Sequence, residues 1–184
     1  MGESIPKVSI GLPVYNGSRY LAASIDSLLA QTFTDFELIL SDNASSDETE
    51  SICRRYAEQD ERIRYYRVEE NLGAAWNFNR VFELARGEYF KWAAHDDVHL
   101  PTFLEKTVEV LDTRPEVIWC FGRYSHIGPD GSLVPDAAER DLSFINPDGI
   151  DRSSPRPHQR FQSILLARAG LDIYALHRRE VVAK

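Results

Sequence analysis

Short apolar runs alternate with helix-period stretches along the first two thirds of the chain. A strand is predicted from Lys7 and ends at Pro13. Leu21, Ile25, Leu28 and Leu29 then recur on one helical face, with Ser18 as the expected cap of a helix running to about Thr32. Phe36 to Ser41 reads as the second strand. Ser45-Ser46-Asp47-Glu48 fits a capping box, ahead of a helix carrying Ile52, Tyr56 and Ala57. Ile63 to Val68 reads as a third strand, Ala74 to Ala85 as a helix with Gly87 as its C-cap signal, and Tyr89 to Ala94 as a fourth strand. Pro101 is expected to open a helix with Phe103, Leu104, Val108 and Leu111 inward. Val117 to Tyr124 reads as a fifth strand, and Asp130-Gly131 predicts a hairpin turn into Ser132-Leu133-Val134.

Strands alternating with helices imply an α/β fold: a mostly parallel sheet with helices on both faces. Beyond it, Pro135 to Pro157 is polar and rich in Asp, Pro and Ser. A helix is expected over Pro157 to Ala169 and a late strand over Asp172 to His177. Residues 1–134 are therefore read as an α/β domain, and residues 135–184 as the start of a second region.

Composition narrows the classes. The chain has 184 residues, of which 43% are hydrophobic and 27% charged, as in ordinary globular proteins. No apolar run approaches the length of a spanning helix, so no transmembrane segment is expected. The formal net charge of −8 disfavours nucleic acid as a partner, because phosphate neutralisation supplies most nonspecific affinity. An anionic ligand would need to be held locally, by amides, single arginines or a metal ion. Cys53 and Cys120 are too few for a disulfide framework or a four-cysteine zinc site, and read as buried thiols in a reducing compartment.

In an open parallel sheet, ligands bind beyond the carboxyl ends of the strands. Four such ends are polar here: 12–17, 41–45, 69–73 and 95–97. Turns favour the same residue types, so each segment alone also reads as an ordinary turn. Asp96-Asp97 is the most informative pair. Adjacent carboxylates repel and resist desolvation, and a divalent cation relieves both costs. Mg²⁺ or Mn²⁺ takes one or two carboxylates and completes its shell with water and phosphate. Asp42, directly after a strand, could accept an N–H from a base or form an Asx turn. Neither a dinucleotide fingerprint nor a P-loop occurs.

Taken in order, these residues resemble the family-two inverting glycosyltransferases. The likeness rests on Val8 to Gly17, Ser27 to Thr32, Phe36 to Asp47, Asn71-Leu72-Gly73, Asn77, Ala85 to Tyr89, and Asp96-Asp97. The resemblance implies a GT-A, Rossmann-like fold and a nucleotide-diphosphate sugar donor carrying UDP, GDP or dTDP. It sets Pro13, Tyr15 and Asn16 against base and ribose, Asp42 at the base edge, and Asn71, Gly73 and Asn77 at the floor. Asp96 would lie at the ribose or the metal, and Asp97 would hold Mg²⁺ or Mn²⁺. The implied reaction is metal-assisted transfer of the sugar, with inversion, to a hydroxyl of a carbohydrate or lipid-linked acceptor. Cell-surface polysaccharide synthesis, in the cytoplasm or at the cytoplasmic membrane face, is the implied setting. The alternative is a nucleotide-sugar binding module or fragment without catalysis.

The chain departs from the family pattern in three places. Ala94 stands where a further Asp is common, and Trp76 where an Arg is common. The family's general base follows a segment resembling Ile173 to Val181, so it is expected beyond Lys184, and the chain reads as the donor half of a longer enzyme. Asp148, Asp151 and Asp172 are carboxylates by default only.

Overall fold

The computed structural model describes residues 5–122, 125–134 and 173–183. The helix expected over 157–169, the polar stretch before it, and Asp148, Asp151 and Asp172 lie outside them.

The chain divides into two compact units, one formed by 1–121 with 174–184 and the other by 122–173. The first contains the strands β1 (Val8–Val14), β2 (Phe36–Asp42), β3 (Ile63–Arg67), β4 (Tyr89–Trp92), β5 (Trp119–Cys120) and β6 (Leu176–Arg178). Its helices are α1 (Ser18–Leu29), α2 (Thr49–Gln59), α3 (Ala74–Glu83), α4 (Phe103–Thr113) and a last turn, α5 (Arg179–Val182). In the second unit Ile127 pairs antiparallel with Leu133 around Asp130-Gly131, where the turn was expected.

The sheet order is β3-β2-β1-β4-β6-β5. β1 runs parallel to β2 and β4, and β2 parallel to β3. β6 is antiparallel to both β4 and β5. The mostly parallel sheet is thus as expected, with an antiparallel strand inserted between β4 and β5. All seven residues of β1 and of β2 are buried. That follows from strands covered on both faces, which read as continuous rather than alternating apolar runs. One face packs Leu21, Ile25 and Leu28 of α1, Ile52 and Cys53 of α2, and Leu104, Val108 and Leu111 of α4 against Ile10, Leu12, Leu38 and Leu40. The other packs Val81 of α3 and Ala85 just past it against Ile39, Phe90 and Trp92. Each buried aliphatic side chain contributes about 1.5–3 kcal/mol.

The expected caps are replaced by one residue. Ser18 and Ser45 make no side-chain cap bonds at α1 or α2. Asp47 instead accepts the N–H of Ser18 through Oδ2 and that of Thr49 through Oδ1, each at 3.0 Å. One carboxylate thus serves the first turns of two helices. Gly87 is not a left-handed helix cap either. A β-carbon there would lie 2.7 Å from the backbone nitrogen of Ser9, so glycine is required by close approach to β1.

Candidate functional site

The carboxyl ends of β1 to β4 meet at one edge of the first unit. Their loops are joined to one another by side chain to backbone hydrogen bonds. Asn16 N–H donates to Ser45 Oγ at 2.9 Å, Gly17 N–H to Thr49 Oγ1 at 3.0 Å, and Ser46 N–H to Asn16 Oδ1 at 2.8 Å. These bonds fix the loop after β1 to the loop after β2. Asn43 extends the chain of contacts to the loop after β3. Its Nδ2 donates to Asn71 Oδ1 at 2.8 Å, and its Oδ1 accepts from Leu72 N–H at 3.0 Å. The loop after β4 is held through Ser24, whose hydroxyl donates to the Ala94 carbonyl at 2.9 Å. Gly17 lies directly on the His95 ring, since a β-carbon there would be 2.7 Å from the imidazole.

Three residues of this edge have positive φ: Asn16 at 51°, Ala44 at 63° and Gly73 at 89°. Such conformations persist where the surroundings over-determine them, and they cluster at ligand sites.

The residues expected at the site fall into two layers. Tyr15, Asn16, Asn71, Gly73, Asp96 and Asp97 are exposed, and Tyr15 keeps 48% of its surface open. Pro13, Asp42 and Asn77 lie beneath them. Asn77 Oδ1 accepts the Ser41 hydroxyl at 2.6 Å, and its Nδ2 donates to the Ser41 carbonyl at 2.9 Å, so its amide ties α3 to β2. Asp42 is 0% exposed. Its Oδ1 accepts Ser45 N–H at 2.8 Å, and its Oδ2 accepts the Tyr65 hydroxyl at 3.1 Å and an N–H of Arg67. Burial and the Asp42 charge together raise the Tyr65 hydroxyl pKa.

Asp96 and Asp97 have no protein cation within ion-pairing distance among the described pairs. Partial desolvation and the neighbouring Asp96 charge push the Asp97 carboxyl up, while Lys91 and His95 pull it down. That is the state a divalent cation would relieve, so the pair fits Mg²⁺ or Mn²⁺. Among the described residues, no group of three or more His, Cys, Asp or Glu gathers as a protein-only metal cage.

Several residues of this edge were not among the expected site residues. Asn43, Ser45, Asp47 and Thr49 carry most of the stitching, and all belong to the polar run after β2. Arg67 looked like one more strand residue. Lys91 is wholly buried on β4, donates to the Tyr174 carbonyl, and lies 4.9 Å from the Phe103 ring centre. Burial pushes its pKa down to about 7, against the pull of Asp97. Trp76 is half-buried at the rim, with the Arg80 guanidinium 5.0 Å from its ring centre.

A family model described as glycosyl transferase family 2 matches residues 9–167. An uncharacterized glycosyltransferase of Rickettsia typhi (strain ATCC VR-144 / Wilmington) is 34% identical over 146 residues, covering 78% of this chain and 42% of that protein. One from Methanocaldococcus jannaschii is 32% identical over 141 residues, covering 76% of this chain and 49% of that protein. The chain spans about a fifth to a half of the length of the curated relatives it matches. Among solved structures, S. aureus TarS 1-349 in complex with UDP-GlcNAc is 26% identical with a TM-score of 0.56, covering 59% of this chain and 32% of that one. A mannosyltransferase from Pyrobaculum calidifontis, in complex with GDP-Man and Mn²⁺, covers 98% of this chain and 47% of its own. It is 17% identical with a TM-score of 0.53, and shares the fold. The architecture is α/β and GT-A-like.

Proposed function

The chain belongs to glycosyl transferase family 2, and from that premise we propose that its sheet edge binds a nucleotide-diphosphate sugar for transfer to an acceptor hydroxyl. The observation that carries this reading is the exposed Asp96-Asp97 pair, set among three loops that Asn16, Asn43 and Asn71 bind into one surface. TarS, with UDP-GlcNAc, shares that sheet at 26% identity, which supports a nucleotide-sugar donor.

Tyr15 and Asn16 offer an exposed aromatic face and an amide to the base and ribose. Asn71 and Gly73 form the floor. Asn77 and Pro13 hold that surface from below. Asp97, with Asp96, would hold Mg²⁺ or Mn²⁺ for the diphosphate. When bound, the cation neutralises charge that develops on the leaving group. The acceptor hydroxyl attacks the anomeric carbon opposite the diphosphate, so the new bond forms as the carbon–phosphate-oxygen bond breaks, with inversion. A carboxylate takes the hydroxyl proton as general base. The acceptor is a carbohydrate or a lipid-linked sugar. We place the reaction in the cytoplasm or at its membrane face, where the free thiols Cys53 and Cys120 stay reduced. Burial pushes Cys53 up to about 12, which keeps it inert.

Calorimetric titration with UDP, GDP and dTDP, each with Mn²⁺ and with EDTA, tests the reading. Metal-dependent binding of one nucleotide is the expected result. No binding of any would remove the donor-site assignment. Binding without transfer to any sugar acceptor would favour a binding module instead.

A further inference from the structure

The carboxylate of Asp42 is closed to ligands. It has no exposed surface, and both oxygens already accept hydrogen bonds from Ser45, Tyr65 and Arg67. Arg67 is different. Its guanidinium is gripped by Asp42, by the Ser45 carbonyl at 3.0 Å and by Glu50 Oε2 at 3.2 Å, yet 28% of its side chain stays exposed. A guanidinium carries more N–H donors than these partners take up. It is also tied to the neighbouring loop. Ser45 accepts Arg67 through its carbonyl and Asn16 N–H through its hydroxyl, so one residue bridges Arg67 to the Tyr15-Asn16 loop. A rigid, partly exposed donor fork, tied through Ser45 to the loop that carries the exposed Tyr15, suits a planar ligand with a carbonyl edge.

We propose that Arg67 is the specificity-determining residue of the site, donating N–H to the keto oxygen of the nucleobase, and that Asp42 acts by orienting Arg67. The proposal rests on the nucleotide-donor reading above. It assigns a keto base: uracil or thymine through O4, or guanine through O6. The matching amino bases present an N–H₂ donor at the same place, which faces Arg67 donor to donor.

Titrations in Mn²⁺ with UDP against CDP, and GDP against ADP, provide the test. The wild-type chain prefers the keto member of one pair by about tenfold or more, the lower range of a good bidentate contact. Which pair shows the preference separates a pyrimidine from a guanine site. Arg67→Met brings that ratio close to one. Asp42→Asn lowers the ratio part of the way towards one, because the arginine loses the charged partner that aims it. Arg67→Met leaves the buried Asp42 carboxylate unpaired, so the ratio is also read in the Asp42→Asn/Arg67→Met double variant, where it is again close to one. A ratio preserved in Arg67→Met, or unchanged in Asp42→Asn, overturns the proposal. Wild-type binding without keto preference overturns it while leaving the donor site standing. Absence of all nucleotide binding removes the donor site itself.

Discussion

The two ends of the parallel strands use charge in opposite ways. At the amino end, Glu37 is buried and accepts from Ser9 Oγ at 2.6 Å, Arg64 Nη1 at 2.7 Å and the Arg86 backbone N–H at 2.9 Å. Burial would raise its pKa, but the bonds from Ser9 and Arg64 hold it below the usual value. Nearby, Lys7 pairs with Glu88 at 2.9 Å and Asp112 at 2.8 Å. Arg178 and Arg179 close on the carbonyls of Val117 and Gly87. These charges are taken up by one another or by backbone carbonyls, so this end binds the fold together. At the carboxyl end, neutral amides and hydroxyls share the stitching with Asp47 and the buried Asp42–Arg67 pair, and Asp96 and Asp97 are left facing outward. Polar residues at a strand end are therefore uninformative in number. Whether they satisfy each other is what separates a structural edge from a binding edge.

That contrast predicts opposite phenotypes. Glu37→Ala leaves two arginines without their shared carboxylate and should cost about 3 kcal/mol, as removal of one partner of a buried pair does. Urea unfolding would show a lower midpoint at unchanged slope. Nucleotide affinity of the folded protein should not move, and a loss of affinity at full stability would erase the distinction between the ends. Asp97→Ala reverses the pattern. It relieves a repulsive pair, so the unfolding midpoint holds or rises. Nucleotide binding in Mn²⁺ should fall by roughly a hundredfold, towards its value in EDTA, since loss of even outer-shell partners costs up to that much. A variant that bound UDP with unchanged Mn²⁺ dependence would sink the metal assignment.

Asp47 belongs to the binding edge but works structurally, so it sharpens the boundary. Partial desolvation would raise its pKa, and the bonds from Thr49 and Ser18 outweigh that, holding it at about 2. A depressed carboxyl pKa means that the folded state binds fewer protons. Its stabilisation is complete above the ordinary Asp value near 3.8 and disappears as pH falls towards about 2. Asp47→Ala should cost about 1 kcal/mol at neutral pH, the usual value of a helix cap. Thermal melts across pH 2–5 would show the variant and wild type converging at the acid end. A constant gap across that range would mean that the carboxylate is not the source.

Much of the fold could be read from residue pattern alone, because β1 to β4 are apolar runs bounded by turn residues. The orientation of β6 could not. Leu176 to Arg178 carries no mark that separates an antiparallel strand from a parallel one, and its pairing with β4 is decided by long-range contact. The caps were misplaced for a related reason. The run from Ser45 to Thr49 offers several side chains able to cap a helix, and the approach of the β1–α1 loop selects Asp47. The site was readable by location and chemistry but not by depth. Asp42 and Asp97 are the same residue type after similar strands. One is sealed by Arg67 and Tyr65 on a neighbouring strand, and the other has no such neighbour among the described residues. Arg67 was missed because a charged residue at a strand end looks like solvated surface until its partners are seen.

The smallest effect tests whether the binding edge carries backbone strain that the other end does not. Ala44 has φ of 63°, between Asn43 and Ser45, whose side chains hold the neighbouring loops. An L-residue other than Gly, Asn or Asp pays about 1–2 kcal/mol there. Ala44→Gly removes that cost but adds about 0.5–1 kcal/mol of unfolded-state entropy. The net expectation is a gain of about 0.5 kcal/mol, or roughly 1–2 °C in melting temperature for a chain of this size. Asn16, at φ of 51°, is a different case. Asn tolerates that region, and its Oδ1 accepts from Ser46 N–H at 2.8 Å. Asn16→Gly should therefore lose stability where Ala44→Gly gains it. Opposite signs would show that the conformation at 44 is imposed on alanine by the bonds of Asn43 and Ser45. A loss in both variants would mean that the loop accommodates Ala44 without cost, and the strain would then not belong to this edge.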